Sequence, residues 1–355
     1  MNEIELVRVG HRYDNASYAL EPLDLTFEAG RTYALLGPSG CGKTTMLNII
    51  SGLIKPSDGR IRLGSRDVTE VGTAARNIAQ VFQFPVIYRS KTVGQNLAFP
   101  LLCRNWSRVQ IQRRVDEIAD LLGLSSMLNR PAYDLGADEK QLISLGRGLV
   151  RNDVAALLMD EPLTVIDPQR KFELRRKIKS VIEQSRLTVI YVTHDQNEAM
   201  TFAHEILVMS AGKVVQRGVA EELFERPRTT YVGQFIGSPA MNFFDVAVVP
   251  GGVRTGDVFI PLDGNVAQSV PDNSRIQIGI RPEHILVADR NTSDAIDATL
   301  VGTQDCGWVR VLEARIGTST TKIKVARDAR VTLGPVGVIL QRSKIRLYCN
   351  GELVQ

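Results

Sequence analysis

Long apolar runs are missing from this chain. No stretch reaches the roughly eighteen consecutive apolar residues of a membrane-crossing helix, so a transport role would need a pathway supplied by another protein. The opening Met-Asn-Glu-Ile-Glu-Leu has no basic start followed by an apolar segment, which argues against a secretory signal. Paired cysteines are also missing. Cys41, Cys103, Cys306 and Cys349 are scattered, without a CxxC pair or metal-ligand spacing. That pattern excludes a disulfide scaffold or a zinc site and fits a reduced cytosolic chain. Charge of one sign is nearly balanced: a formal +4 over 355 residues is too little to argue for nucleic acid. The basic run Arg175–Lys179 reads as a solvated helix face. There is no internal repeat and no low-complexity tract.

What is present is a globular composition, 44% apolar and 23% charged, long enough for two domains. Three short apolar runs, Thr32–Leu36, Val154–Met159 and Leu187–Val192, read as buried strands, each ending in chemically capable residues. Helical patterns lie between them, so this part reads as α/β with a largely parallel sheet. Ser107 can cap a helix whose apolar face is Ile111, Val115, Ile118, Leu121 and Leu122. It belongs to a helical subdomain, residues 84–150, inserted between the first two of these strands. After residue 235 the texture changes to short β-like runs (Val246–Val249, Arg275–Ile280, Val309–Ala314, Thr321–Val325, Lys344–Tyr348) between Gly, Pro and Asp turns. The expected organisation is therefore two domains, 1–235 and 236–355, the second a small β-barrel.

Gly37-Pro38-Ser39-Gly40-Cys41-Gly42-Lys43-Thr44-Thr45 matches G-x-x-x-x-G-K-[ST] between a strand and a helix. The glycines let backbone N–H groups close around phosphates, and the helix adds its positive end. Lys43 would reach the β- and γ-phosphates and the Thr44 hydroxyl would ligate Mg²⁺. Asp160-Glu161 ends the second strand. An Asp there suits Mg²⁺ held through water, and the Glu suits a base polarising the attacking water. His194 ends the third strand, where a side chain can reach the γ-phosphate; His204 and His284 read as structural.

In order and content these pieces resemble the ABC ATPase family, and most closely its importer subunits for maltose, glycerol-3-phosphate and related carbohydrates. The resemblance also takes in Gln83 in Val-Phe-Gln-Phe, Met159–Leu163, Asp167, the Tyr-Val-Thr-His-Asp-Gln around His194, Gln234–Phe243 and Gly279–His284. It implies a phosphate-loop (RecA-like) α/β ATPase core with an inserted helical subdomain and a C-terminal OB-like regulatory domain. Tyr13 then falls where an aromatic stacks on adenine, with Tyr18 as a rival. Gln83 falls where a Gln senses Mg²⁺ and the γ-phosphate, Glu161 on the catalytic base, His194 on the switch histidine, and Asp167 in a dimer-interface loop. ATP and Mg²⁺ are the implied cofactors. The implied partners are transmembrane permease subunits, a second ATPase subunit and a solute-binding protein, with the chain peripheral on the cytoplasmic face of the inner membrane.

One segment departs from the family. Its Leu-Ser-Gly-Gly-Gln signature, which clamps the γ-phosphate held by a head-to-tail partner, is here Leu135-Gly136-Ala137-Asp138-Glu139. The hydroxyl and both bare backbone positions are lost. A carboxylate about 4 Å from a phosphate charge costs on the order of 4 kcal/mol per charge pair at an effective dielectric of about 20. Asp138 to Gln141 also fits a capping box, with Asp138 as N-cap and Gln141 at N3. The expectation is two unequal ATP sites and a heterodimer in preference to a homodimer. A nucleotide-binding regulatory subunit with little turnover is the competing reading; a chromosome- or ribosome-associated ATPase lacks its coiled-coil insertion or tandem second ATPase.

Overall fold

The computed structural model describes residues 3–14, 17–262 and 274–354. The chain divides into two compact units, Met1–Val219 and Ala220–Gln355.

The first unit opens with β1 (Ile4–His11), β2 (Leu20–Phe27), β3 (Thr32–Leu36), α1 (Lys43–Ser51), β4 (Asp58–Leu63), β5 (Arg66–Asp67), α2 (Thr73–Arg76) and β6 (Ile78–Val81). A helical stretch follows: α3 (Val93–Leu102), α4 (Arg108–Leu122) and α5 (Ala137–Leu149). The unit closes with β7 (Ala156–Asp160), α6 (Pro168–Ser185), β8 (Val189–Thr193), α7 (Gln196–Phe202), β9 (Glu205–Ser210) and β10 (Lys213–Gly218). Strands β2-β1-β4-β5 make an antiparallel sheet, and the main sheet runs β10-β9-β3-β8-β7-β6. Its pairs are parallel except at the β10 edge.

Every residue of β3, β7 and β8 is buried, as expected for strands covered on both faces. This explains why they read as unbroken apolar runs. Because these three strands are parallel neighbours, their carboxyl ends lie along one edge of the sheet, where ligands of open α/β sheets bind. The phosphate loop, Glu161 and His194 leave from that edge. In the helical stretch, Ser107 caps α4 in a capping box with Gln110, and Ile111, Val115, Ile118 and Leu122 are buried.

The second unit holds α8 (Ala220–Glu225), α9 (Thr230–Phe235) and twelve strands among its described residues. The longest sheet is five-stranded and antiparallel, built from Ile285–Ala288, Gly334–Leu340, Ile296–Asp305, Val309–Ile316 and Ser319–Ala326. Its core gathers Ile278, Leu312, Ile323 and Val338, all fully buried. The unit begins at Ala220, not after residue 235, and the reason is Arg281. That guanidinium is 2% exposed and donates to the carbonyls of Phe224, Gly233 and Ile236. Tyr348 adds a bond to the Pro227 carbonyl at 3.0 Å. Helices α8 and α9 thus satisfy a buried charge of the β unit and fold with it.

Candidate nucleotide site

The loop from Gly37 to Gly42 runs between β3 and α1. A Cβ on Gly37 would meet the Met209 carbonyl oxygen at 2.4 Å, so only glycine fits there. Gly42 takes φ 100°, open to glycine alone at no steric cost, and caps α1 without a side chain. The first amides of α1 are therefore not consumed by a side-chain cap, as an anion site requires. Lys43 Nζ donates to the carbonyls of Gly37 and Pro38, both at 2.8 Å, and lies 3.8 Å from Cys41 Sγ. The lysine thus braces the loop that it follows.

A cavity of about 590 Å³ sits over this loop, lined by Tyr13, Ser39, Gly40, Gly42, Lys43, Thr44, Thr45, Gln83, Glu161 and His194 together with Ala19 and Thr164. It collects most of the residues singled out from the sequence. Gly37 and Cys41 are buried and shape the loop without lining the cavity. Asp160 is only 6% exposed; burial pushes its carboxyl above the ordinary range, although a hydrogen bond with Thr44 opposes this. Among the described residues, no cluster of His, Cys, Asp or Glu holds a metal unaided. The adjacent Asp160 carboxylate and Thr44 hydroxyl instead fit Mg²⁺, which borrows phosphate oxygens and water for its other ligands.

Three side chains converge on one oxygen of Glu161. His194 Nδ1 lies 3.1 Å from Oε2, and Gln83 Nε2 and the Thr164 hydroxyl each donate to it from 3.3 Å. Glu161 itself has φ 45°, a left-handed conformation that costs energy for a residue with a Cβ and that concentrates at functional sites. Thr164, three residues on, was readable only as part of the turn after β7. Tyr13 donates to or accepts from Thr45 at 2.9 Å and packs edge-on against His11. Tyr18 lies outside the cavity, bonded to Asp58 with Arg12 over its ring. His204 Nδ1 accepts the Thr32 N–H at 3.0 Å.

The altered signature differs from its sequence expectation. The N-cap of α5 is Gly136, and Asp138 sits in the first turn with Glu139 at N3. Glu139 Oε2, not Gln141, accepts the cap amide, from Gly136 N–H at 2.9 Å. Gln141 is turned inward, donating to the carbonyls of Phe82 and Pro162 at 3.2 and 3.0 Å. Asp138 pairs with Arg170 at 3.1 Å. Asp167 caps α6 through the Gln169 N–H and stays outside the cavity.

Residues 20–164 match the family described as ABC transporter, and residues 237–285 match the MalK OB fold domain. The trehalose import ATP-binding protein SugC of Mycobacterium tuberculosis is 40% identical over 288 residues, 80% of this chain and 73% of that protein. The sn-glycerol-3-phosphate import ATP-binding protein UgpC of a Jannaschia species is 33% identical over 352 residues, 98% of each chain. Among solved structures, the ATP-binding cassette MJ0796, a dimer with ADP and Pi, aligns at TM-score 0.56 and 26% identity, covering 61% of this chain and 98% of that one. The chain belongs to the ABC transporter ATPase family, in its carbohydrate importer branch, and is an ATPase with a C-terminal OB-fold domain.

Proposed function

We propose that this chain is the ATP-hydrolysing subunit of an importer for a sugar, a polyol such as glycerol, or glycerol-3-phosphate, seated on the cytoplasmic face of the membrane. The observation that carries this reading is the convergence of Gln83, Thr164 and His194 on Glu161 beside the Lys43 loop. Backbone amides of the loop and Lys43 bind the phosphates; Glu161 draws the proton of the attacking water, and His194 holds the γ-phosphate. Thr44 and Asp160, with Gln83, hold Mg²⁺, whose charge offsets that developing on the phosphates. The Tyr13 ring, 61% exposed, is free to stack on adenine.

No helix among the described residues is long and apolar enough to cross a membrane; permease subunits and a solute-binding protein complete the importer. Residues Phe84, Val86 and Tyr88, exposed next to Gln83, offer the permease an apolar contact. The missing signature hydroxyl favours pairing with a different ATPase, leaving the site on the partner's phosphate loop weak and the Lys43 site active. Purification of the assembled transporter, a count of its distinct ATPase chains and ATP-driven uptake of the three solute classes test this reading. A complex with two copies of this chain, or one that imports none of them, would overturn the corresponding part.

A further inference from the structure

Glu198 on α7 is a carboxylate almost out of water, 6% exposed, and it lines no part of the nucleotide cavity. A buried carboxylate is costly unless hydrogen bonds satisfy it. Two hydroxyls of β8 do so: Tyr191 donates to Oε2 at 2.9 Å and Thr193 at 2.8 Å. Tyr191 and Thr193 alternate with Val192 along the strand, so they point to one face of the sheet. Burial, and then the charge of Glu198, hold the Tyr191 hydroxyl well above its ordinary range, which keeps it a donor. The Tyr191 ring also packs on Phe202 at the far end of α7, with centroids 4.7 Å apart.

These bonds bracket His194. The Thr193 hydroxyl that donates to Glu198 also accepts the Asp195 N–H at 3.0 Å. Asp195 in turn caps α7 by accepting the N–H groups of Asn197 and Glu198. The residues on both sides of His194 are thereby tied to α7. The imidazole itself is 58% exposed, so packing does little to fix its direction and the backbone beneath it must do so. Its Nδ1 lies 3.1 Å from Glu161 Oε2, a separation that a small shift of the strand end would spoil.

We infer that Glu198 is a positioning residue for ATP hydrolysis: by gathering the hydroxyls of Tyr191 and Thr193, it fixes the strand end from which His194 reaches Glu161 and the γ-phosphate. The inference rests on the proposed role of His194 at the γ-phosphate, and Glu198 acts through that histidine alone.

The test measures ATP turnover by the assembled transporter, with thermal midpoints taken on the same preparations. Glu198→Ala should lower kcat about 10–100-fold, the scale set by a misplaced catalytic group, with KM for ATP nearly unchanged. Glu198→Gln keeps an oxygen that can accept both hydroxyls, and should restore most of the turnover that alanine loses. In a His194→Ala background, Glu198→Ala should cost little more, because residues that act as one unit are not additive. Thr193→Val removes the bond from the strand side at nearly constant volume, and should show the same lack of additivity if alanine at 198 weakens folding. Additive losses, a Gln variant as slow as the Ala variant, or unchanged turnover in both Glu198→Ala and Thr193→Val would overturn the inference. Unaltered turnover in His194→Ala alone would instead refute the role given to His194, and this inference with it.

Discussion

Replacing Glu161 by Gln keeps the volume of the side chain and removes its basic oxygen. The carboxylate is 13% exposed and receives Gln83, Thr164 and His194 on one oxygen, leaving the other for a water. An amide can still accept through its oxygen, so the hydrogen-bonded setting largely survives, but it cannot take a proton. General-base assistance contributes about 10²–10⁴-fold, or roughly 3–5 kcal/mol of barrier. Turnover by the assembled transporter should therefore fall by about that factor. ATP affinity should change little, because the residues that brace the phosphate loop, Lys43 with the Gly37 and Pro38 carbonyls, are untouched. The left-handed backbone at residue 161 strains Glu and Gln alike, so thermal stability should also hold. Steady-state phosphate release and nucleotide binding, measured on the same preparation, read both quantities. Turnover within about tenfold of the unaltered chain would place the base elsewhere, and Asp160 would be the next residue to test.

Asp160→Asn should stabilise the nucleotide-free chain at neutral pH while abolishing Mg²⁺-dependent hydrolysis. Burial raises the folded carboxyl's pKa, so ionisation costs stability above that pKa and the cost fades on acidification; thermal scans across pH should show the advantage of Asn shrinking as pH falls. A cysteine at Val86, a position 51% exposed, should cross-link to a permease subunit in the assembled complex; cross-links that never reach one would remove this segment from the docking surface. Arg281→Met should lower the thermal midpoint of the chain, since the Phe224 and Ile236 carbonyls lose their donor at about 1–3 kcal/mol for each group left unpaired, while Gly233 keeps the Met241 N–H. An unchanged midpoint would mean that α8 and α9 are held without that guanidinium.

The candidate nucleotide site was legible as a cluster because its parts are local. A glycine loop, a lysine and two strand-terminal acids announce themselves within a few residues, and the parallel register of β3, β8 and β7 then brings them together. The strands were readable for a related reason: burial on both faces leaves apolar runs that no polar alternation interrupts. The domain boundary was harder, since the residue that assigns α8 and α9 to the second unit, Arg281, lies 45 positions beyond the last carbonyl it binds. Thr164 was missed because a threonine after a strand end has many ordinary uses, and only its bond to Glu161 marks it.

The start of α5 shows why local rules ran out. Read from sequence, this helix is capped at Asp138 with Gln141 three residues on, whereas it starts from Gly136 with Glu139 in that place. The tertiary structure chose between them through Gln141, whose amide is needed by the carbonyls of Phe82 and Pro162 and so cannot turn back to a cap. That choice moves the cap two residues earlier and changes the electrostatic argument with it. A bare Asp138 would repel phosphate by itself, but Arg170, 32 residues downstream, sits against it, and an exposed pair of this kind offsets much of its field. The carboxylate on the cap amide belongs to Glu139, the one residue of the altered segment that also differs from the family's Gln by charge alone. The segment therefore opens α5 with two carboxylates, one on the Gly136 amide and one against Arg170, where the sequence points to a single capping Asp138.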